Sequence, residues 1–217
     1  QAPRANLVLG QANFTTIITD ASSSTMGQPT GVVVFNNGDL AASDILHNRI
    51  LLWRKSGDFV NGQSARAVLG QSNFSNTGVG SSAAGLNRPR GLAVDSSDRL
   101  YVADTNNNRI LVYSSTSTIG NGATGTSIPN VPTPEGVAVS PSTGEVWISS
   151  FSSNSILRFR EFTQLGANPA ATAGVASAAP MAIVLDQFDN LIAVEASNRI
   201  TFYYARMVYR HAATYAS

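Results

Sequence analysis

Residues 88–115 read RPRGLAVDSSDRLYVADTNNNRILVYSS, and residues 28–55 read QPTGVVVFNNGDLAASDILHNRILLWRK, with every landmark displaced by sixty positions. Two fainter copies follow, TPEGVAVSPSTGEVWISSFSSNSILRFRE from Thr133 and APMAIVLDQFDNLIAVEASNRITFYYA from Ala179. Self-similarity at this period marks a repeat architecture, in which each unit is one supersecondary piece that buries its apolar face only against its neighbours. In the copy at 88–115 the apolar residues fall into three short runs, 91–94, 100–103 and 109–113, separated by Asp95-Ser96-Ser97-Asp98 and Asp104-Thr105-Asn106-Asn107-Asn108. Such runs are too short for helices and suit strands, while Asn, Asp and Ser clusters supply hairpin turns. Each copy is therefore expected to be an antiparallel three-stranded meander. Its first run is almost wholly apolar (Val32-Val33-Val34, Leu92-Ala93-Val94, Val137-Ala138-Val139, Ile183-Val184-Leu185), as in a strand covered on both faces by other sheets.

A fourth strand is expected after the third. Residues 65–74 (ARAVLGQSNF) match residues 5–14 (ANLVLGQANF) almost letter for letter, and both precede a repeat by the same distance. The N-terminal segment then reads as a last strand without a first three, and the fourth copy as a first three without a last. Joining them closes a ring, with residues 6–9 as the outermost strand of the blade that holds residues 200–203. Radially arranged four-stranded antiparallel sheets make an all-β fold, the β-propeller, which hides its edges by repetition around an axis. The expected organisation is a single domain over residues 1–217, with repeats near 28–74, 88–131, 133–178 and 179–205 plus residues 5–14. About four blades can be read. A fifth blade, hidden in residues 168–180 or 206–217, and an open arc are the alternatives.

The pattern P-x-G-[VL]-[AV]-V, then L-[YA]-[VA]-[AS]-D, then N-R-I-L, strongest at residues 29–53 and 89–113, resembles the NHL-repeat family. The added V-L-G-Q-x-N-F element is similar to the long-repeat NHL proteins of exported bacterial type. The pattern weakens where Ser150 and Ser155 stand at the Asp and Arg positions, and where Ala182 replaces Gly and Glu195 replaces Asp. The resemblance implies a β-propeller, commonly of six blades. It also raises two activities: some NHL-like propellers are lyases that rely on metal-linked or general-base residues, often His, and some animal members bind RNA.

Composition narrows these. With 14 basic and 13 acidic residues the net charge is +1, and no Lys/Arg run appears, so nucleic-acid binding has no electrostatic footprint. The absence of cysteine excludes disulfides, thiolate metal sites and a cysteine nucleophile. Only 12 % of residues are charged, so Ser, Thr, Asn, Gln and Gly must solvate the surface, as in exported proteins. The opening Gln1-Ala2-Pro3 reads as a mature N-terminus left by signal-peptide removal, which makes the expected location extracellular, cell-surface or periplasmic. No apolar stretch approaches the ~18 residues of a membrane span, and no membrane insertion is expected.

The constellation Asp44/Asn48/Arg49 recurs as Asp104/Asn108/Arg109 and as Glu195/Asn198/Arg199. A carboxylate ending the second strand and an Arg starting the third face each other across a hairpin, with Asn capping the turn; this is a structural network repeated once per blade. Asp39, Asp95, Asp98, Asp186 and Asp189 are read as turn formers rather than calcium ligands. His47 and His211 are a poor inventory for catalysis or zinc, so no catalytic residue, metal or cofactor is assigned. The loops before each first strand and after each second strand should meet at the channel mouth. They carry Arg88, Arg90, Asp104, Glu135 and Glu195, a mixed-charge set for a polar or peptide partner. Phe14 and Phe74 are expected to plug grooves between blades, and Trp53, Tyr113, Phe159 and Tyr203 to form a packing stripe. The function expected is a non-catalytic binding or self-assembly module that takes a protein or glycan partner, or copies of itself in a ring or filament. A small lyase or hydrolase acting at the channel mouth is the rival.

Overall fold

The computed structural model describes residues 5–114, 119–166 and 169–205. Each repeat folds as an antiparallel meander. Blade 1 is β1 (Pro29–Val34), β2 (Leu40–Asp44), β3 (Arg49–Trp53) and β4 (Ala67–Leu69). Blade 2 is β5 (Pro89–Val94), β6 (Leu100–Asp104), β7 (Arg109–Tyr113) and β8 (Thr126–Ile128). Blade 3 is β9 (Pro134–Val139), β10 (Glu145–Ser150), β11 (Ser155–Glu161) and β12 (Ala173–Ala176). Blade 4 has, among the described residues, three strands, β13 (Pro180–Leu185), β14 (Leu191–Glu195) and β15 (Arg199–Tyr203). The four sheets are arranged as a four-blade β-propeller, and the Ala-rich stretch supplies β12 rather than a further blade. Residues 206–217, the other place named for hidden strands, lie outside the described residues.

Alternation of side chains along each strand puts one core in every gap between blades. Ile50 and Leu52 of β3 pack with Leu100, Val102, Leu111 and Tyr113 of blade 2. The opposite face of blade 2, with Tyr101, Ala103, Ile110 and Val112, packs on Val146, Ile148 and Phe159 of blade 3. Ala138, Trp147 and Ile156 then turn to Ile183, Leu191 and Ala193 of blade 4. The aromatic stripe is buried at Trp53, Tyr113 and Phe159 and partly buried at Tyr203.

The innermost strands follow one another as β1, β5, β9 and β13, each in contact with the next, with no such packing of β13 against β1. Glycine permits this closeness. A Cβ on Gly31 would lie 2.5 Å from the Arg90 carbonyl oxygen, one on Gly91 2.7 Å from that of Glu135, and one on Gly136 3.0 Å from the Ile183 nitrogen. Ala182 occupies the same place in blade 4 and is exposed, because no blade lies beyond it. The expectation that first strands are covered on both faces therefore holds for β5 and β9 and fails at the ends, where Val32, Val34 and Val184 are exposed.

The expected closing strand is corrected in the same way. Residues 6–9 do not pair with β15, and blade 4 is three-stranded. The segment lies on blade 1 instead: Val8 N–H donates to Asn61 Oδ1 at 2.8 Å, Gly62 N–H to the Val8 carbonyl at 3.1 Å, and Met26 N–H to the Gly10 carbonyl at 2.9 Å. Leu9 and Met26 cover Ala42, Leu51, Trp53 and Val68 on the outer face of blade 1. Phe74 is half-buried in this cluster on the outer face of blade 1 and Phe14 is 55 % exposed, so neither fills a groove between two blades as expected. The physical reason is the open arc, which leaves blade 4 too far round the ring to receive the segment.

Candidate functional site at the channel mouth

The repeated carboxylates hold their own blades. Asp44, fully buried, accepts from the backbone N–H groups of Gly27 and Gln28 through Oδ1, and from His47 Nδ1 at 2.7 Å and Arg49 Nε at 3.1 Å through Oδ2. Asp104, also buried, accepts from Asn87 N–H at 2.8 Å, Asn107 Nδ2 at 2.8 Å and Arg109 Nε at 2.7 Å. Glu195 accepts from Ser177 Oγ at 2.6 Å, Ala178 N–H, Ser197 Oγ and Arg199 Nε. In blade 3 the serines named as departures take over, Ser150 Oγ donating to the Pro132 carbonyl at 2.5 Å. The arginines reach onward to main-chain carbonyls, Arg49 to Phe74 and Thr25, Arg109 to Ser81, Ser82 and Gly85.

Environment separates these acids. Burial pushes Asp44 up, yet bonds from the Gln28 N–H and His47, with the charges of His47 and Arg49, outweigh it and hold the carboxyl below its ordinary value. At Asp104 burial wins over the bonds from Asn107, Asn87 and Arg109, and the carboxyl is raised. The pair differ in two partners: His47 stands in blade 1 where Asn107 stands in blade 2, and the Gln28 N–H reaches Asp44 while its counterpart, the Arg88 N–H, goes to Asn48. Glu195 is held down at about 2 by the Ser177 hydroxyl and, against burial, by Arg199, Ser197 and the Ala178 N–H.

A second set of contacts joins blade to blade. Asn48, Asn108 and Asn154 have left-handed backbones with φ of 51°, 53° and 49°. Their Oδ1 atoms accept from the N–H groups of Arg88, Thr133 and Ala179, each just before the proline that opens the next blade, at 2.9, 2.8 and 2.9 Å. Arg88, Thr133 and Ala179 are themselves left-handed, a backbone that L-residues adopt at a cost of roughly 1–2 kcal/mol each. Each asparagine thus clamps a strained turn of its neighbour. Asn154 was not among the residues singled out, because Ser150 and Ser155 obscured its copy; the asparagine kept before the third strand in all four repeats was the available signal. On the opposite side, the turn aspartates also bridge blades, Asp98 Oδ1 accepting from Asn36 N–H and Asp189 Oδ1 from Ser140 Oγ.

Of the five residues assigned to the channel mouth, the structure brings two together. Arg90 Nε and Glu135 Oε2, on neighbouring innermost strands, lie 3.1 Å apart in an ion pair in which Nε makes no hydrogen bond. They stand in a cavity of about 320 Å³ walled by Thr30, Gly31, Gly91, Gly136, Met181 and Ala182, drawn from all four blades. Burial pushes the Glu135 carboxyl up, opposed by Arg90 and Arg88. Arg88 is exposed nearby, while Asp104 and Glu195 are sunk in their blade networks. His47 is buried against Asp44, and His211 lies outside the described residues.

Residues 86–113 match the NHL repeat. The match falls on blade 2 and agrees with the propeller architecture. No curated protein matches the chain. Among solved structures, it is similar to a chain of the mitotic checkpoint complex, at 12 % identity and a TM-score of 0.60, over 85 % of this chain and 50 % of that one. It is similar to hydrazine synthase of Kuenenia stuttgartiensis, at 14 % identity and a TM-score of 0.60, over 87 % and 47 %. A third similarity is to a catalytically inactive H270A virginiamycin B lyase of Staphylococcus aureus with quinupristin, at 16 % identity and a TM-score of 0.50, over 85 % and 59 %. At these identities the likeness is one of fold. The chain spans about half the length of the structures it matches.

Proposed function

We propose that this chain is a non-catalytic binding and assembly module of the exported, long-repeat NHL type. Its channel mouth takes a carboxylate-bearing peptide-like partner, and its end blades take further protein. One observation carries the first part: the carboxylates of the repeat are committed to their own blades, whereas the Arg90 guanidinium, ion-paired with Glu135, keeps its hydrogen-bond donors beside an open cavity. Arginine suits planar, two-point recognition of carboxylates. Binding of fluorescent acidic peptides, measured by polarisation against their amidated counterparts, should fall at least tenfold in Arg90→Ala with the urea midpoint unchanged. Equal binding by both peptide sets, or a lost fold in the variant, would remove the reading.

The rival, a small lyase or hydrolase, has one feature in its favour, the His47–Asp44 pair. That pair is buried in the blade 1 network and does not line the channel cavity. An enzyme reading requires an activity that His47→Ala abolishes while the fold persists.

A further inference from the structure

The two ends of the arc are incomplete in matching ways. On blade 4, β15 pairs among the described residues with β14 alone, and a cleft of about 860 Å³ runs along it past Ser177, Glu195, Arg199 and Phe202. Its outer face shows Val184, Val194, Ile200 and Phe202, the last two 62 % and 59 % exposed. Asn198 has the left-handed backbone of the other clamping asparagines, with φ of 62°, and makes no bond among the described residues. On blade 1, Val32 borders a cleft of about 590 Å³, and Val34 further along β1 is also exposed. Gln28, which stands where Arg88, Thr133 and Ala179 stand in later blades, is not left-handed and gives its N–H to Asp44 of its own blade.

The N-terminal segment supplies the missing piece. Val68 N–H donates to Asn121 Oδ1 at 3.0 Å, and Gly122 N–H to the Val68 carbonyl at 3.0 Å. Val8, Asn61 and Gly62 repeat this arrangement sixty residues earlier. Residues 7–9 therefore sit on blade 1 as β4 sits on blade 2, in the place of a fourth strand whose first three are absent. Blade 4 is three strands with no fourth among the described residues.

We infer that a second copy of the chain docks head to tail, blade 4 of one copy against blade 1 of the next, so that residues 7–9 of one copy become the fourth strand of the other's blade 4. The register follows from blade 1, where Ile50, Leu51 and Leu52 pair with Leu69, Val68 and Ala67. Ile200, Thr201 and Phe202 pair correspondingly with Leu9, Val8 and Leu7 of the second copy. Asn198 faces the turn at Gln28, whose N–H passes from Asp44 to the Asn198 Oδ1 on docking, and the exposed valines of β1 close on Ile200 and Phe202. This interface continues the junction already built three times within the chain, and a net charge of +1 offers little repulsion between copies. Because the two surfaces differ, the contact is heterologous, and it builds a ring or a filament according to whether the rotation closes.

This deepens the assembly half of the proposed function and is independent of the channel-mouth half. Light scattering over a concentration series should give a mass of at least twice the 22.7 kDa of one chain. Val32→Glu and Phe202→Glu alter exposed side chains, so each should keep the wild-type circular dichroism and urea midpoint yet run as a monomer. An equimolar mixture of the two retains one good surface of each kind and should restore a complex of two chains and no more. A wild-type mass constant at one chain, self-association surviving in Val32→Glu, or a mixture that stays monomeric would each overturn the head-to-tail pairing while leaving peptide binding at Arg90 untouched.

Discussion

Between blades 1 and 2, Asn48 holds the Arg88 N–H at 2.9 Å, Gly31 admits the Arg90 carbonyl, and Ile50 and Leu52 are sealed under Leu100 and Val102. On the far side of blade 4, among the described residues, Asn198 clamps nothing and Ala182 faces no strand, and Ile200 and Phe202 are exposed. The same repeat positions are filled in both places. A blade of this chain thus encodes half of a junction on each face, and only a neighbour turns those residues into stability. In a quasi-one-dimensional array most of the folding energy lies in such interfaces, so equal substitutions should cost very different amounts inside the arc and at its ends.

The largest contrast is expected at arginine. Arg49 is fully buried and bonds Asp44 and two carbonyls, so Arg49→Ala leaves a buried carboxylate without its cation and should cost about 3–5 kcal/mol in urea unfolding. Arg199 is 60 % exposed at the open end, and Arg199→Ala should cost about 1 kcal/mol or less. Equal losses would mean that the end blade is as enclosed as the others.

Close approach gives the next effect. Gly91→Ala places a Cβ 2.7 Å from the main chain of blade 3 and must wedge two blades apart, at roughly 1–3 kcal/mol. Ala182→Gly, at the equivalent place with no blade beyond it, should change stability by a few tenths of a kcal/mol at most, read from the same denaturation curves.

The clamp itself is isolated by comparing Asn108→Ala with Asn198→Ala in dilute protein. Both lose a residue suited to a left-handed backbone, but only the first releases a neighbouring N–H, so it should cost about 1 kcal/mol more.

The smallest effect is one of pH. Asp44, lowered, contributes stability that is present above its unfolded pKa and disappears as pH falls through the lower folded value. Asp104, raised, does the reverse, with stability falling as pH rises through its folded value. His47→Asn removes the bond and the charge of His47 from Asp44 while the Gln28 N–H stays, so the variant should be less stable than wild type at about pH 5, and the gap should narrow towards about pH 2. A gap that widens in acid would mean that His47 is not what lowers Asp44.

How much of this could be read beforehand follows the range of each interaction. The meanders, the hairpin turns and the carboxylate–arginine pairs are contacts within one repeat, and the pattern of residues 88–113 was enough to place them. β8 and β12 lack the V-L-G-Q-x-N-F landmark, and their short sequences TSI and AGVA carry little strand signal of their own. The Arg90–Glu135 pair joins different blades, and nothing in either copy marks the other as its partner. Residues 5–14 match residues 65–74, of which 67–69 form β4, yet residues 6–9 form no strand and lie against the loop at Asn61 and Gly62 of blade 1. Similarity of sequence specifies the kind of place a segment suits and not whether the arc curves far enough to bring blade 4 there as its pairing partner. Asp104 and Glu195 were assigned both to the network and to the channel mouth; their burial leaves them in the first role.

The open arc is tested most directly by amide hydrogen exchange along β15 and β7 in dilute, monomeric protein. β7 is paired on both sides, so its amides should all be protected, whereas β15 is paired, among the described residues, with β14 alone, and its alternate amides on the other edge should exchange as fast as loop amides. Uniform protection of β15 in the monomer would show that the chain covers this edge itself, and would contradict the account.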